Sequence, residues 1–316
     1  MTDKKILAVV GATGAQGGGL VRAILADAGG DFTARAITRN PEADKARALA
    51  EAGAEVVAAD LDDATTLEQA FAGAHGAFCV TNFWEHMSPE REYAQATAMA
   101  RATKAAGLRH VVWSTLEDTR RAIPLDDPRM PVLKERYNVP HFDAKGEADE
   151  VFAAEGAPTS YLLAAFYWDN FIYFGAGPRA GEGGNLVLAL PLGGVALPGI
   201  AAEDIGKCAL GIFRRGEEAI GRHFGIAGEV LTGEQMAAAF ARALGREVRF
   251  FDVPFDVYRA FDFPGADDMG NMFQFQAIHA DAFLDSRDVA LARELNPELL
   301  SFATWLAANA DRIPIE

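Results

Sequence analysis

Cysteine is almost missing from this chain. The two it has among 316 residues, Cys79 and Cys208, lie in apolar surroundings. They form no framework and no metal-binding pattern, and they suit small core residues of a reducing compartment rather than a bridge. Positive charge is short as well: 29 Lys and Arg stand against 45 Asp and Glu, a net charge of −16. A sequence-independent grip on nucleic acid needs clustered cations to displace counterions, so no nucleic-acid partner is expected and a DNA-binding regulator ranks last. The six histidines are scattered without metal-ligand spacing, and no metal is expected. No apolar run approaches the length of a membrane span. The run after Lys4-Lys5 is about five residues long, below the roughly 7–15 of a signal-peptide core, and glycine breaks it. A cytoplasmic location without membrane association is therefore expected. Half of the residues are hydrophobic, enough for one large or two modest domains with a sizeable core.

What the chain does have is a glycine turn in an informative place. The apolar run Ile6-Leu7-Ala8-Val9-Val10 leads into Gly11-Ala12-Thr13-Gly14-Ala15-Gln16-Gly17, and an amphipathic run follows over 18–25. That is strand, tight turn, helix. The first glycine permits the turn, the second lets the backbone approach a pyrophosphate, and the third lets helix and strand pack closely. Free N–H groups at the helix start face the phosphates. The spacing, G-x-x-G-x-x-G, is shifted from the G-x-G-x-x-G of ordinary dinucleotide folds. A glycine triplet alone serves any tight turn; its place after a buried strand points to a dinucleotide.

From there strands and helices alternate. Strands are predicted over 32–38, 54–59, 74–80, 110–114 and 159–164, and helices over 41–52, 64–71, 89–106 and 143–155. This rhythm predicts an α/β fold, a Rossmann-type doubly wound parallel sheet with right-handed crossovers. Beyond Ala165 the alternation fails. A glycine-rich loop over 175–184, strands at 186–190 and 193–197, and a helix over 201–214 come first. A capping box at 232–235 ahead of a helix ending near Leu244, a strand at 247–253 and a last helix before Pro314 follow. This half reads as a smaller mixed α/β C-terminal domain. The expected division is 1–165 for dinucleotide binding, with 197–215 packing back on it, and 166–316 for substrate or partner.

Ligands of open α/β sheets bind outside the carboxyl ends of the strands. Strand two ends in Thr38-Arg39-Asn40, where NAD-specific folds carry an acid for the ribose 2′-OH. Arg39 instead suits a 2′-phosphate and selects NADP over NAD; an exposed surface arginine is the alternative. Strand three ends in Asp60-Leu61: a carboxylate for the adenine amino group and a side chain to pack on the ring, or else a cap for the next helix. Thr81-Asn82-Phe83-Trp84, after strand four, is placed for the nicotinamide ribose and the middle of the cofactor, with a structural turn as the alternative. Ser114-Thr115 ends strand five, where short-chain reductases place a hydroxyl donor. Tyr167-Trp168-Asp169-Asn170 would close over the nicotinamide end; packing between two domains is the alternative. The aromatic, methionine-rich stretch 261–275 suits the apolar wall of a cleft or the second half's own core.

His141-Phe142-Asp143-Ala144-Lys145 decides between enzyme and sensor. Short-chain reductases use Tyr-x-x-x-Lys, with tyrosine as acid/base and lysine lowering its pKa while holding the ribose. Here His141 takes the tyrosine's place and Lys145 is kept. Histidine can relay a proton near neutrality, and a histidine at a helix start also serves as a hydrogen-bonded structural residue. Tyr137 lies four residues too early to replace the tyrosine.

Together these stretches resemble the NmrA-like family, an atypical branch of the short-chain dehydrogenase/reductase superfamily, and most closely its NADPH-sensor members. The resemblance rests on GATGAQGG from Gly11, TRNP from Thr38, TNFWE from Thr81, HFDAKGE from His141, FPGA from Phe263 and NMF from Asn271, which span nearly the whole chain. It implies a Rossmann domain binding NADP(H) and a smaller C-terminal domain forming a cleft. By matching motif, Gly11 to Gln16 would hold the pyrophosphate and Arg39 the 2′-phosphate. Thr81, Asn82, Lys145 and the Tyr167 to Asn170 stretch would line the nicotinamide half. The resemblance also implies a regulator that lacks the catalytic tyrosine and binds a protein partner according to cofactor state, while some relatives reduce quinones or isoflavonoids. One departure stands out: Glu42-Ala43 after Asn40-Pro41 supplies no second basic residue, leaving Arg39 largely alone.

Two readings follow. In the first, the chain is an NADP(H)-binding redox sensor with little or no dehydrogenase activity. Its cofactor orders residues 81–88 and the domain interface, and so alters affinity for a protein partner. In the second, it is an NADPH-dependent reductase of a quinone or other small hydrophobic carbonyl compound, because the cofactor carries the hydride chemistry and a quinone can take protons from water.

Overall fold

The computed structural model describes residues 4–181 and 184–315. In its first half, strands β1 (Lys5–Val9), β2 (Phe32–Thr38), β3 (Glu55–Ala58), β4 (Gly76–Cys79), β5 (His110–Thr115) and β6 (Thr159–Leu163) alternate with helices. These are α1 (Ala15–Ala26), α2 (Asp44–Glu51), α3 (Ala64–Phe71), α4 (Phe83–His86), α5 (Pro89–Ala105) and α6 (Pro140–Ala154). Then come β7 (Phe166–Tyr167), α7 (Asn170–Tyr173), β8 (Arg179–Ala180), β9 (Leu186–Leu190), β10 (Leu197–Ile200), α8 (Ala202–Arg215), β11 (His223–Gly225), β12 (Glu229–Leu231), α9 (Gly233–Leu244) and β13 (Val248–Asp252). Helices α10 (Phe255–Arg259), α11 (Ala266–Ile278), α12 (Ala280–Asp285), α13 (Val289–Leu295) and α14 (Phe302–Asn309) complete the order.

Seven strands form one parallel sheet in the order β11-β6-β5-β4-β1-β2-β3. This is the expected Rossmann-type sheet. Its strands are apolar on both faces because helices cover both. Leu7, Val9, Phe78, Val112 and Leu162 pack with residues of α1 and α8 on one side. Ala8, Ala77, Cys79, Val111 and Trp113 pack with α3, α5 and α6 on the other. Strand order reverses at β1 and β4, which places the ligand crevice outside their carboxyl ends. Two small sheets, β12-β10-β7 and β13-β9-β8, share a second core around Trp168, Phe171, Phe240, Phe302 and Trp305. Helix α8 closes on α1 glycine to glycine: a Cβ on Gly206 would stand 2.1 Å from Leu20 N, and one on Gly19 would stand 2.7 Å from Glu203 O.

Several elements differ from the sequence reading. The edge predicted at 193–197 is a loop, because Gly193 and Gly194 take φ of 62° and 79°, and β10 begins only at Leu197. Helix α6 begins at Pro140 rather than Asp143: proline suits the first turn, and the Asp143 carboxylate accepts from the backbone N–H of Asn138 and Val139. The last helix expected before Pro314 is α14, started by a Ser301 cap, and the short helices α12 and α13, the latter capped by Asp288, precede it. Within the glycine-rich loop over 175–184 lies β8, while residues 182–183 are outside the described residues. The capping box forms, with Thr232 and Gln235 bonded reciprocally. Cys79 and Cys208 are free and buried, and burial pushes both thiols up. No helix among the described residues is long and apolar enough to cross a membrane.

Candidate functional site

The glycine turn sits at the carboxyl end of β1. Gly11 has a φ of 65°, in the left-handed region that strains any residue with a Cβ. Gly14 N donates to Gly11 O at 2.9 Å, and a Cβ at Gly14 would come within 3.2 Å of that oxygen. The third glycine does the packing: a Cβ at Gly17 would stand 2.5 Å from Gly11 O and 2.7 Å from Val10 O. Ala12 is buried and its N–H bonds Ile37 O at 3.3 Å, tying the turn to β2. Gly11, Gly14 and Ala15 are exposed and Thr13 is half-buried. No side chain caps α1, so its first N–H groups have no side-chain partner. Gln16 Nε2 donates to the Tyr167 hydroxyl, which brings β7 to the turn, while Gln16 Oε1 is buried without a partner. An unsatisfied buried carbonyl costs about 1–3 kcal/mol. Burial pushes the Tyr167 phenol up to about 12, against the Gln16 bond that lowers it. Asn170, half-buried, opens α7 three residues on.

Arg39, exposed at the end of β2, is engaged. Its guanidinium grips Glu85 of α4 with both ends, Nη2 lying 3.1 Å from Oε2. Because β2 and β4 flank β1, the pair spans the carboxyl end of β1. The hydrogen bond that Arg39 donates to Glu85 raises the guanidinium despite partial burial, with Asp60 and Asp62 adding attraction; the same bond lowers Glu85. Asp60 is exposed and its Oδ1 accepts from Asp62 N at 3.0 Å. It steadies the turn after β3, whereas the cap of α3 is Asp63. Leu61 packs, half-buried, on the core beneath α3 and α5.

Beyond β4 a buried ionic knot forms. Thr81 Oγ1 accepts from Lys145 Nζ at 2.5 Å and donates to Glu92 Oε1. Nζ also lies 2.8 Å from Glu92 Oε1 and 5.1 Å from the Trp113 ring centre. Asn82 is exposed and Phe83 buried. Burial alone would raise the Glu92 carboxyl. The attraction of Lys145, helped by His86 and Thr81, outweighs it and holds the group at about 2. His86 Nε2 faces Glu92 Oε2 at 3.4 Å, and neither atom has a hydrogen-bond partner. The Thr115 hydroxyl is committed to Asp149 Oδ1 at 2.6 Å. Glu92 escaped the sequence analysis because an acid in a first helical turn reads as a partner of the helix dipole.

His141 lies in the first turn of α6, one turn before Lys145. Its Nδ1 is 2.6 Å from Asp268 Oδ1, and its backbone N–H donates to Asp268 Oδ2 at 3.2 Å. Asp268, 4% exposed, is contributed by α11 and was not anticipated; Asp267-Asp268 looks like another acidic helix start. The imidazole is ringed by Trp84 and Phe142, both 4.8 Å away, and Phe83 at 5.9 Å. Trp84 in turn covers Gly265, where φ is 83° and a Cβ would stand 2.8 Å from the indole. The Arg39–Glu85, Trp84–His141 and Trp84–Gly265 contacts thus bring residues 38–41, 81–85, 141–147 and 263–266 together at one place. Asn271 instead stitches α11 to the carbonyls of Pro131 and Asn138. The stretch 261–275 is divided: Met272, Phe273 and Phe275 are core, whereas Phe261 and Phe263 are exposed. Tyr137 is buried beneath Arg120 and Arg136.

Known proteins resemble this chain in sequence and in fold. Residues 3–306 match the NmrA-like family. The chain belongs to that family. It is similar to the NmrA-like family domain-containing oxidoreductase FrzB of Cladobotryum sp, 30% identical over 295 residues, 85% of this chain and 83% of that one. Among solved structures, it is similar in fold to NmrA, a negative transcriptional regulator (TM-score 0.79, 23% identity, 96% of this chain and 95% of that one). It is also similar in fold to the Citrobacter sp. triphenylmethane reductase complexed with NADP(H) (TM-score 0.75, 18% identity, 97% and 99%). In this NmrA-like chain His141, paired with Asp268, stands four residues before Lys145.

Proposed function

We propose that the chain binds NADP(H) in the crevice at the carboxyl ends of β1, β2 and β4, and that it reduces a quinone or other small hydrophobic carbonyl compound. The observation that carries the cofactor reading is the turn itself: it is open, its helix start is uncapped, and the buried Gln16 amide oxygen lacks a donor, which fits a pyrophosphate and a neighbouring hydroxyl or carboxamide. Gly11, Ala12, Thr13, Gly14, Ala15 and Gln16 hold the pyrophosphate, with Gly17 setting the helix behind them. Arg39 takes the 2′-phosphate, and Asp60 and Leu61 flank the adenine. Thr81, Asn82, Phe83, Lys145, Tyr167 and Asn170 line the nicotinamide half. Residues 1–165 with 197–215 form the cofactor unit and 166–316 the wall that covers it. The bound dinucleotide supplies hydride; the chain orients it and excludes water through Trp84, Phe83 and Phe142. Reduction is supported by the oxidoreductase name of FrzB.

The redox-sensor reading has a separate support, the Arg39–Glu85 pair. A 2′-phosphate on Arg39 competes with Glu85 of α4, so cofactor occupancy and the position of residues 81–88 are linked, and a partner protein can read that position. Calorimetric titration with NADPH, NADP and NADH, followed by NADPH oxidation with a quinone and enal panel, separates the readings. Tight NADP(H) binding with turnover is expected. Binding without turnover leaves the sensor, and absence of binding removes both.

A further inference from the structure

We propose that His141 and Asp268 form a proton-delivering pair, so that the site reduces aldehydes and ketones, whose product is an alkoxide in need of a proton, as well as quinones. This rests on the reductase reading above. His141 and Lys145 are one turn apart on α6 and share a face, and Lys145 reaches Thr81 at the end of β4. His141 itself touches Phe83 and Trp84, the residues that follow. The histidine therefore stands at the nicotinamide side of the crevice.

The carboxylate on Nδ1 fixes the tautomer and orients the ring, leaving Nε2 to carry the exchangeable proton. Nε2 has no hydrogen-bond partner among the described residues. Asp268 holds both the ring and the backbone of residue 141, so it acts as a positioning residue. One carboxylate thus fixes both the ring and the first helical turn that carries it. The charged group facing His141 is Asp268 of α11; α4 and the next residue of α6 present aromatic rings, and Lys145 is matched by Glu92. Of the other groups of the short-chain pattern, Lys145 is committed to Glu92 and Thr81, and Thr115 to Asp149.

In the step, hydride from the reduced dinucleotide forms a C–H bond at the carbonyl carbon while the C=O π pair takes the Nε2 proton. An alcohol and the oxidised dinucleotide result, and solvent reprotonates the neutral imidazole. A quinone yields a hydroquinone anion, for which water suffices.

The test uses wild type, His141→Gln and Asp268→Asn, with 4-nitrobenzaldehyde and 9,10-phenanthrenequinone as acceptors. NADPH affinity is read by fluorescence, and the low-field imidazole N–H by proton NMR. With the aldehyde, kcat is expected to fall about 10²–10⁴-fold in His141→Gln and roughly tenfold or more in Asp268→Asn. The loss with the quinone is at least an order of magnitude smaller, and NADPH affinity is kept. The low-field resonance shifts when NADPH binds wild type and is missing in both variants. Equal losses with the two acceptors, unchanged aldehyde reduction in His141→Gln, no aldehyde turnover by a wild type that binds NADPH, or a resonance indifferent to NADPH each overturn the pair's role. Failure of wild type to bind NADPH overturns the cofactor reading beneath it.

Discussion

The carboxylate on Arg39 changes what that arginine can do for a dinucleotide. A 2′-phosphate arriving there must share or displace Glu85, and an exposed pair of this kind is worth about 0.2–1 kcal/mol. Glu85→Gln is therefore expected to tighten NADP(H) by about 1.4- to 5-fold and leave NAD(H) nearly unchanged in calorimetric titration. Arg39→Ala removes charge-assisted bonds worth about 1.5–3 kcal/mol and should weaken NADP(H) by about 10- to 100-fold, again sparing NAD(H). Equal loss of both dinucleotides would put the 2′-phosphate elsewhere. Arg39 was legible because it follows a recognisable strand. Its partner was not, since Glu85 reaches it across β1, and neither were Glu92 and Asp268. Each is one acid on a helix start, and only the packing of distant helices shows which basic group it serves.

Helices α1 and α8 depend on two glycines meeting. Gly206→Ala drives a methyl into Leu20 N, Gly19 C and Gln16 O, all backbone, so the helices must separate. Overpacking of this kind costs about 1–3 kcal/mol or more, and a melting temperature lower by several degrees is expected. NADPH affinity falls with it, because Gln16 belongs to the displaced turn. Gly29→Ala, with open space around it, is the control and should leave both unchanged. At this scale the sequence was most readable where elements are long and periodic, as in β1 to β6 with their helices. It was least readable at β11 and β12, whose three residues each carry no period. The α1–α8 contact was half visible: the glycines of the turn advertise it, and Gly206 has no local reason to be a glycine.

For the molecule as a whole, acid is the vulnerable direction. Burial, with a smaller push from His75, lowers His110 from 6.5 to about 4. Between those values the unfolded chain holds a proton that the folded sheet refuses, so stability is lost as pH falls through that window. Glu92, held at about 2 against an ordinary 4.5, contributes stability that is full above 4.5 and disappears as pH falls toward 2. The melting temperature should therefore drop from pH 7.5 to pH 4.5 and more steeply below. His110→Gln should flatten the first part of that fall; an unchanged slope would assign it to other groups.

The seventh strand of the main sheet, β11, pairs with β6 only after the chain has gone through β7 to β10 and α8. During synthesis, at about 5–20 residues per second, β6 leaves the ribosome seconds before the strand that covers it. For that interval the nascent sheet offers a bare, apolar parallel edge to whatever is nearby, and edges of that kind recruit other chains. The exposure is a property of birth rather than of the finished protein. It makes yield in a cell sensitive to translation rate and chaperone supply, even for variants whose purified form is fully stable.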